Sequence, residues 1–430
     1  MKPGFRHLSP SCPIPSHRRK FTPTADRDEG RGLSTMRCLG AAPLIFLPMF
    51  LAAAEHAAAS TRHRLGVRGA WRGSSAPRPA RIAGLLRAGG LRLRADGSFK
   101  VLQVADTHFG ENHWDAWGAE QDANTTRLLR GLLRAEDPDL VVFSGDQISA
   151  NNIYKNATAF WRLPTALAEE AARPHWVALF GNHDDMPLDS GAAAAAFHVR
   201  EGTPAQTSRR DLLAYSAARP RCATPRMYTS RAGGAGIGYL LLRAPGNGAP
   251  PVAVLWFLDT GGGSLPQALE EDQLTWLQSA SVELAAAHGT LPGLAFLHIP
   301  LPEYRETVGP ASGGESQRWS CFGMAADGGV APVHRAPRGA LAALAAAGTR
   351  AVTAGHNHGN DYCCTAAALP ALCFGRHSGY GGYNHGWERG ARAFTLHVPR
   401  APLAPCAWNL TTHVRLESGA ITNVGQLGAC

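Results

Sequence analysis

Five polar clusters, each placed directly after an apolar, strand-like run, constrain this chain more than any other feature. They are Asp106-Thr107-His108, Gly145-Asp146, Gly181-Asn182-His183-Asp184, His298, and Gly355-His356-Asn357-His358. The runs before them, at 99–105, 140–143, 176–180, 293–297 and 351–354, are short, apolar and rich in β-formers, the pattern of buried parallel strands. Leucines 128, 129, 132 and 133 recur at helical spacing within 125–135, and a second helical stretch runs over 157–172. The segment from 99 to 180 therefore reads β-α-β-α-β. In open α/β sheets ligand sites gather at the carboxyl ends of the strands, so five distant segments can converge on one site.

The side chains in these clusters form a coherent donor set. Asp106 and Asp146 offer carboxylates, Asn182 an amide oxygen, and His108, His298, His356 and His358 imidazoles. An all-nitrogen-and-oxygen set suits iron, zinc or manganese rather than thiolate-bound metals. Gly145, Gly181 and Gly355 stand where each strand gives way to its loop. A missing Cβ lets the backbone turn sharply and approach an ion closely there.

In this order the clusters resemble the metallophosphoesterase (calcineurin-like) superfamily pattern of DxH, GDxx, GNHD/E, H and GHxH. The segments FKVLQVADTHFG (99–110), GLAFLHIPLPE (293–303), GHNHGND (355–361) and GWER (386–389) are similar to the plant and algal purple acid phosphatase-like branch, some of whose members are labelled "probable inactive". The resemblance covers about 97–400. It implies a four-layer α/β/β/α sandwich of two mixed β-sheets flanked by helices. It also implies two metal ions (Fe, Zn or Mn), with Asp106, His108 and His358 at the first, Asn182, His298 and His356 at the second, and Asp146 bridging. A bridging hydroxide attacking phosphorus would make the chain a phosphoric-ester hydrolase, read first as an acid-phosphatase-like phosphomonoesterase. His183 would protonate the leaving oxygen or hold a phosphoryl oxygen, and Asp184 reads as its orienting carboxylate rather than a ligand. A phosphodiesterase on nucleotide or lipid head-group substrates, or a non-catalytic member, remain alternatives. One departure concerns colour: purple members carry a tyrosine three residues after the bridging aspartate, and here that position is Ser149. The protein is expected not to be purple.

The amino-terminal region reads as a different kind of sequence. Residues 1–95 hold 17 of the 42 basic residues and 4 of the 33 acidic ones, leaving 25 basic and 29 acidic beyond them. Basicity confined to such a segment argues against nucleic-acid binding, which needs the patch on the folded body. An apolar stretch over 39–54, followed by small residues near 52–59, reads as a signal peptide, with a retained signal anchor as the alternative; the stretch is shorter than the roughly 20 residues a spanning helix needs. The expected organisation is therefore an extension and signal peptide at 1–59, a basic linker at 60–96 and a catalytic domain at 97–430. Three Asn-x-Thr sequons, at Asn124, Asn156 and Asn409, and seven cysteines beyond residue 59 fit a glycosylated chain in an oxidising, secretory or vacuolar compartment. A local bridge from Cys363 or Cys364 to Cys373 is expected, and an odd count leaves one thiol over.

Several further expectations are open to test. His113, His377 and His385 read as surface residues near the motifs, while Tyr380, Tyr383 and Trp387 could wall a substrate cleft. A hairpin is expected over 228–243 around Gly233-Gly234-Ala235-Gly236, and the strands near 371–374 and 393–398 should close the domain. The interval 305–335 reads as a long loop. The partner is a small phosphorylated substrate.

Overall fold

The computed structural model describes residues 90–427, apart from 172, 189–190, 205–206, 308–317 and 399–407. The extension, signal-peptide and most linker readings, with Cys406 and Cys430, lie outside the described residues. So does the middle of the 305–335 loop.

In chain order the elements are β1 (Leu91–Arg92), β2 (Ser98–Val104), α1 (Ala116–Glu136), β3 (Leu140–Ser144), α2 (Ala157–Glu170), β4 (His175–Leu179), α3 (Gly191–Ala196) and α4 (Arg209–Ala217). They continue with β5 (Gly238–Arg243), β6 (Pro251–Phe257), α5 (Glu271–His288), β7 (Gly293–Phe296), β8 (Ser320–Phe322), α6 (Ala340–Ala346) and β9 (Thr349–Ala354). The chain ends in β10 (Cys363–Thr365), β11 (Ala371–Phe374), β12 (Gly390–His397), β13 (Asn409–Leu416) and β14 (Ile421–Gln426). They form an eight-stranded sheet, β1-β5-β6-β7-β9-β11-β10-β8, and a six-stranded sheet, β14-β13-β12-β2-β3-β4. Both are mixed: β2-β3-β4 and β6-β7-β9-β11 run parallel, with antiparallel strands outside them.

Alternation along the strands makes the layers. Phe99 and Val101 of β2 and Leu140 and Val142 of β3 meet Leu255, Phe257, Leu294 and Phe296 of the other sheet. The opposite faces of β2 and β3, with Leu102, Val104, Val141 and Phe143, pack on Leu128, Leu129, Leu132 and Leu133 of α1 and on Trp161 of α2. Val254 and Trp256 likewise face Leu274 and Leu277 of α5 and Leu341 and Leu344 of α6. Period-2 strands with both faces apolar require cover on both sides, and the result is the expected α/β/β/α sandwich.

Three local expectations change, and the expected bridge to Cys373 forms from Cys363. The first described strand, β1, falls at Leu91–Arg92 and pairs in parallel with β5, so the folded body reaches back before residue 97. Residues 228–237 share only a single bridge, Tyr228 with Ile237; the hairpin is β5–β6, because the strands lie to either side of the turn that holds Gly246 and Gly248. The domain closes on β13 and β14, two strands later than expected. Two disulfides meet at neighbouring residues: Cys363 bonds Cys373, and Cys364 bonds Cys321. In-register pairing of β10 with β11 and with β8 sets those cysteines opposite one another. Among the described residues Cys222 is the free cysteine.

A polar bridge joins the sheets below the site. Gln103 of β2 donates through Nε2 to Ser144 Oγ (3.0 Å) and Ala354 O (3.1 Å), and accepts from Thr353 Oγ1 (2.6 Å). All three side chains are buried, and satisfied buried networks of this kind fix one relative placement of the elements they join.

Candidate metal centre

The carboxyl ends of five parallel strands converge. From the six-stranded sheet come Asp106 and His108 after β2, Asp146 after β3, and Asn182 with His183 after β4; from the eight-stranded sheet come His298 after β7, and His356 and His358 after β9. The donor atoms of Asp106, His108 and His358 form one group and those of Asp146, His298 and His356 another, each within 4.8 Å. Asp146 Oδ2 stands 3.1 Å from His298 Nε2 and 3.8 Å from His108 Nε2, between the two groups. Asn182 Oδ1 is 3.1 Å from His298 Nε2. All seven proposed ligand side chains are thus brought together.

The backbone bends hard to present them. Asp106 (φ 60°), His108 (48°), Asp146 (52°) and His356 (72°) all occupy the left-handed region, at about 1 kcal/mol or more each. Glycine is required beside them. A Cβ on Gly145 would sit 2.2 Å from His298 Nδ1, and one on Gly181 would sit 2.1 Å from Asp146 Oδ1.

Hydrogen bonds aim the imidazoles. His298 Nδ1 donates to Ser144 O (3.0 Å) and His358 Nδ1 to Tyr383 O (2.8 Å), so in both rings Nε2 is the nitrogen turned toward the centre. His108 Nδ1 pairs with Ser149 Oγ (3.0 Å), so the position that departs from the purple pattern supports a ligand here. The Nε2 atoms of His108 and His358 lie only 3.2 Å apart. Either a proton or a metal ion can sit between two nitrogens held this close.

Electrostatics point the same way. Burial, reinforced by the charge of Asp146, pushes Asp106 up to about 7. Burial opposes ionisation of Asp146 too, but His298 and His183 outweigh it and hold this carboxyl well below the usual range. Burial lowers His356 to about 3 and His358 to about 4, and depresses His108 well below its ordinary value. His298 is the exception: burial would lower it, but the carboxylate of Asp146 lifts it to about 9. Two buried carboxylates beside four imidazoles, three of them held neutral by burial, with no Lys or Arg among the described residues lining the pocket, form a donor set that fits two metal ions.

A pocket of about 340 Å³ opens over the centre, lined in part by Glu111, Ser149, Asn151, His183, Asn357 and Tyr383. His183 donates its backbone N–H to Asp146 Oδ1 (2.7 Å), and its Nδ1 meets Asn151 Oδ1 (3.0 Å). The expected role of Asp184 is corrected: its carboxylate accepts the backbone N–H groups of Asp146 (3.0 Å), Ile148 (3.0 Å) and Gly181 (2.7 Å), and it is Asn151 that orients His183. The side chain of Asp184 faces back under the loops because three orphaned N–H donors converge there. Nothing in the sequence flagged Asn151, which sits in a 3₁₀ turn five residues after Asp146.

The other candidates divide. His377 is buried, against expectation, stacked 4.1 Å from the His358 ring, and His113 is half-buried among Trp114, Phe160 and Phe197. His385 is exposed and bonds Asp327 (2.7 Å). Tyr383 lines the pocket. Tyr380 bonds Glu417 (2.6 Å), and Trp387 stacks under Arg376; neither lines the pocket.

Comparison with known proteins accords with this geometry. The sequence profile of the calcineurin-like phosphoesterase family matches residues 99–359. "Probable inactive purple acid phosphatase 28" of Arabidopsis thaliana is 31% identical over 70% of this chain and 76% of its own length. "Probable inactive purple acid phosphatase 29" of the same plant is 30% identical over 71% and 78%. Among solved structures, a purple acid phosphatase from yellow lupin aligns at a TM-score of 0.41 and 14% identity, over 77% of this chain and 54% of that one. The chain belongs to the calcineurin-like phosphoesterase family, with purple acid phosphatase-like relatives.

Proposed function

We propose that this protein is a phosphoric-ester hydrolase, acting first on phosphomonoesters, with two metal ions held by Asp106, His108, Asp146, Asn182, His298, His356 and His358. The observation that carries this reading is the pair of donor groups meeting at Asp146, with His183 over them in one pocket. Two bound cations of this class supply Lewis acidity toward a phosphoryl oxygen and make water more acidic. The protein's own residues do the rest. Asn151 fixes the His183 ring through Nδ1, which leaves Nε2 to hold or deliver a proton at the leaving oxygen. The backbone of His183 on Asp146 ties that acid to the centre. Among the described residues the lining has no Lys or Arg, so phosphoryl charge would be met there chiefly by the ions and by His183.

The test is metal analysis of purified protein, paired with turnover of an aryl phosphate monoester and a bis-aryl diester. Two ions per chain with hydrolysis of the monoester is the expected result. A chain that hydrolyses the diester alone is a phosphodiesterase. Two ions without hydrolysis of any ester would sink the catalytic reading and favour a binding module, the reading that the words "Probable inactive" in the relatives' names support.

An oxidising secretory compartment is proposed as its location, supported by the two disulfides. Asn156 is exposed in the turn before α2, while Asn124 lies within α1. A glycan lost in Asn156→Gln is expected, and a secreting cell that yields only unmodified chain overturns the proposal.

A further inference from the structure

Three arginines are buried outside the centre among the described residues, Arg209, Arg376 and Arg392, and the first packs beside a proposed ligand. Arg209, the first residue of α4, is 3% exposed, far below what an arginine ordinarily shows. Its Nη1 donates to Asp259 Oδ1 (2.7 Å), and its Nε stands 3.2 Å from Asp185 Oδ1. Its Nη2 reaches three backbone carbonyls: Gly181 (2.9 Å), Gly262 (2.7 Å) and Gly261 (3.3 Å). Two carboxylates and three carbonyl dipoles pointed at one dry place repel one another unless a cation stands there. A planar fork of five donors fits that demand and a lysine ammonium does not.

These acceptors belong to the two loops that enclose Asn182. Gly181 precedes it in the chain. Gly262 packs on it so closely that a Cβ there would sit 2.4 Å from Asn182 Cβ, and one on Gly263 would sit 2.8 Å from Asn182 O. Asp185 also takes the hydroxyl of Ser264, which closes the ring of contacts between the loops. Asn182 offers an uncharged oxygen, a weaker ligand than a carboxylate, and so depends more on where its backbone is held.

We infer that Arg209 is the positioning residue for Asn182: it clamps the loops after β4 and β6 together and thereby sets the half-centre of Asn182, His298 and His356. Arg209 does not touch substrate or reacting atoms. The inference rests on the reading above that these residues hold an ion.

The experiment titrates metal-stripped full chain with Mn²⁺ alone, following unbound Mn²⁺ by electron paramagnetic resonance. Wild type is expected to bind two equivalents; fewer than two would refute the dinuclear reading itself, before Arg209 is considered. Arg209→Lys keeps a charge but not the fork. It should weaken one equivalent about 10- to 100-fold, the usual scale for residues behind a ligand, and leave the other at wild-type affinity. Gly262→Ala keeps every charge of the network but shifts the loop that Arg209 holds and presses directly on Asn182, so it should weaken the same equivalent, and it decides the matter if Arg209→Lys does not fold. Both equivalents at wild-type affinity in the variants, or both weakened together, would overturn the inference, because a merely structural arginine does not single out one ion.

Discussion

Tyr383 lies flat against His358, with 4.2 Å between ring centroids and 6° between the planes. Its hydroxyl accepts the His358 backbone N–H (2.9 Å) and donates to Asp327 (3.1 Å), while its carbonyl takes His358 Nδ1–H. With His377 on the far face, the imidazole is sandwiched and has one orientation left.

Replacing that wall should loosen the metal. Tyr383→Ala is expected to lower ion affinity at the His358 side about tenfold, whereas Tyr383→Phe, which keeps the stack, should lose much less. Metal-to-protein ratios after dialysis against graded chelator separate the two.

His183 and Asn151 should act as a unit. His183→Ala is expected to lower kcat by roughly two to four orders of magnitude on a monoester, and Asn151→Leu by a smaller factor in the same direction. Adding the second change to the first should cost little more, since the amide matters through the ring it orients. Steady-state kinetics of the three variants checks this, with ion content as the control.

Gly145→Ala places a Cβ against the His298 ring at a backbone angle of +106°. Both effects are unfavourable, and the expected loss is about 3 kcal/mol or more. Denaturant unfolding of the metal-free chain measures it without reference to activity.

Glu136 gives an acid limit. At the end of α1 its buried carboxylate takes Arg415 Nε (2.7 Å), His413 Nε2 (3.0 Å) and Lys100 Nζ (3.1 Å). Burial opposes its charge, but the His413 and Arg415 hydrogen bonds prevail and bring it down to about 2, from an ordinary 4.5. A carboxyl lowered on folding contributes stability that is whole above pH 4.5 and fades as pH falls toward 2. Wild type should therefore lead Glu136→Gln by about 2 kcal/mol at pH 7, and the lead should vanish near pH 2. Parallel urea titrations at pH 7, 4 and 2 test the sign.

The donor set was legible because each member follows a strand whose apolar run stops abruptly, and pattern and position agree there. Legibility failed where a side chain's partner comes from elsewhere in the chain. Asp184 has the look of a partner for its neighbour His183, yet three backbone donors from two loops claim it. His377 sits in a glycine-rich stretch that reads as surface, but the isolated bridge to Ala105 draws it under His358. β13 escaped notice because one face is only half-buried, which leaves Thr411, His413 and Arg415 in a run that reads as loop. The first half of α1 buries little beyond Gly118, so no apolar period announces it before Thr125.

The linked cysteines carry a practical warning. Cys321–Cys364 and Cys363–Cys373 tie β8, β10 and β11 into a single edge, and Asp327, five residues beyond β8, holds both Tyr383 and His385. A bacterial cytoplasm keeps thiols reduced, so a preparation made there starts with this edge unstitched and the rim of the pocket without its anchor. A blank assay on such material would report on the production host and say nothing about the protein's own chemistry.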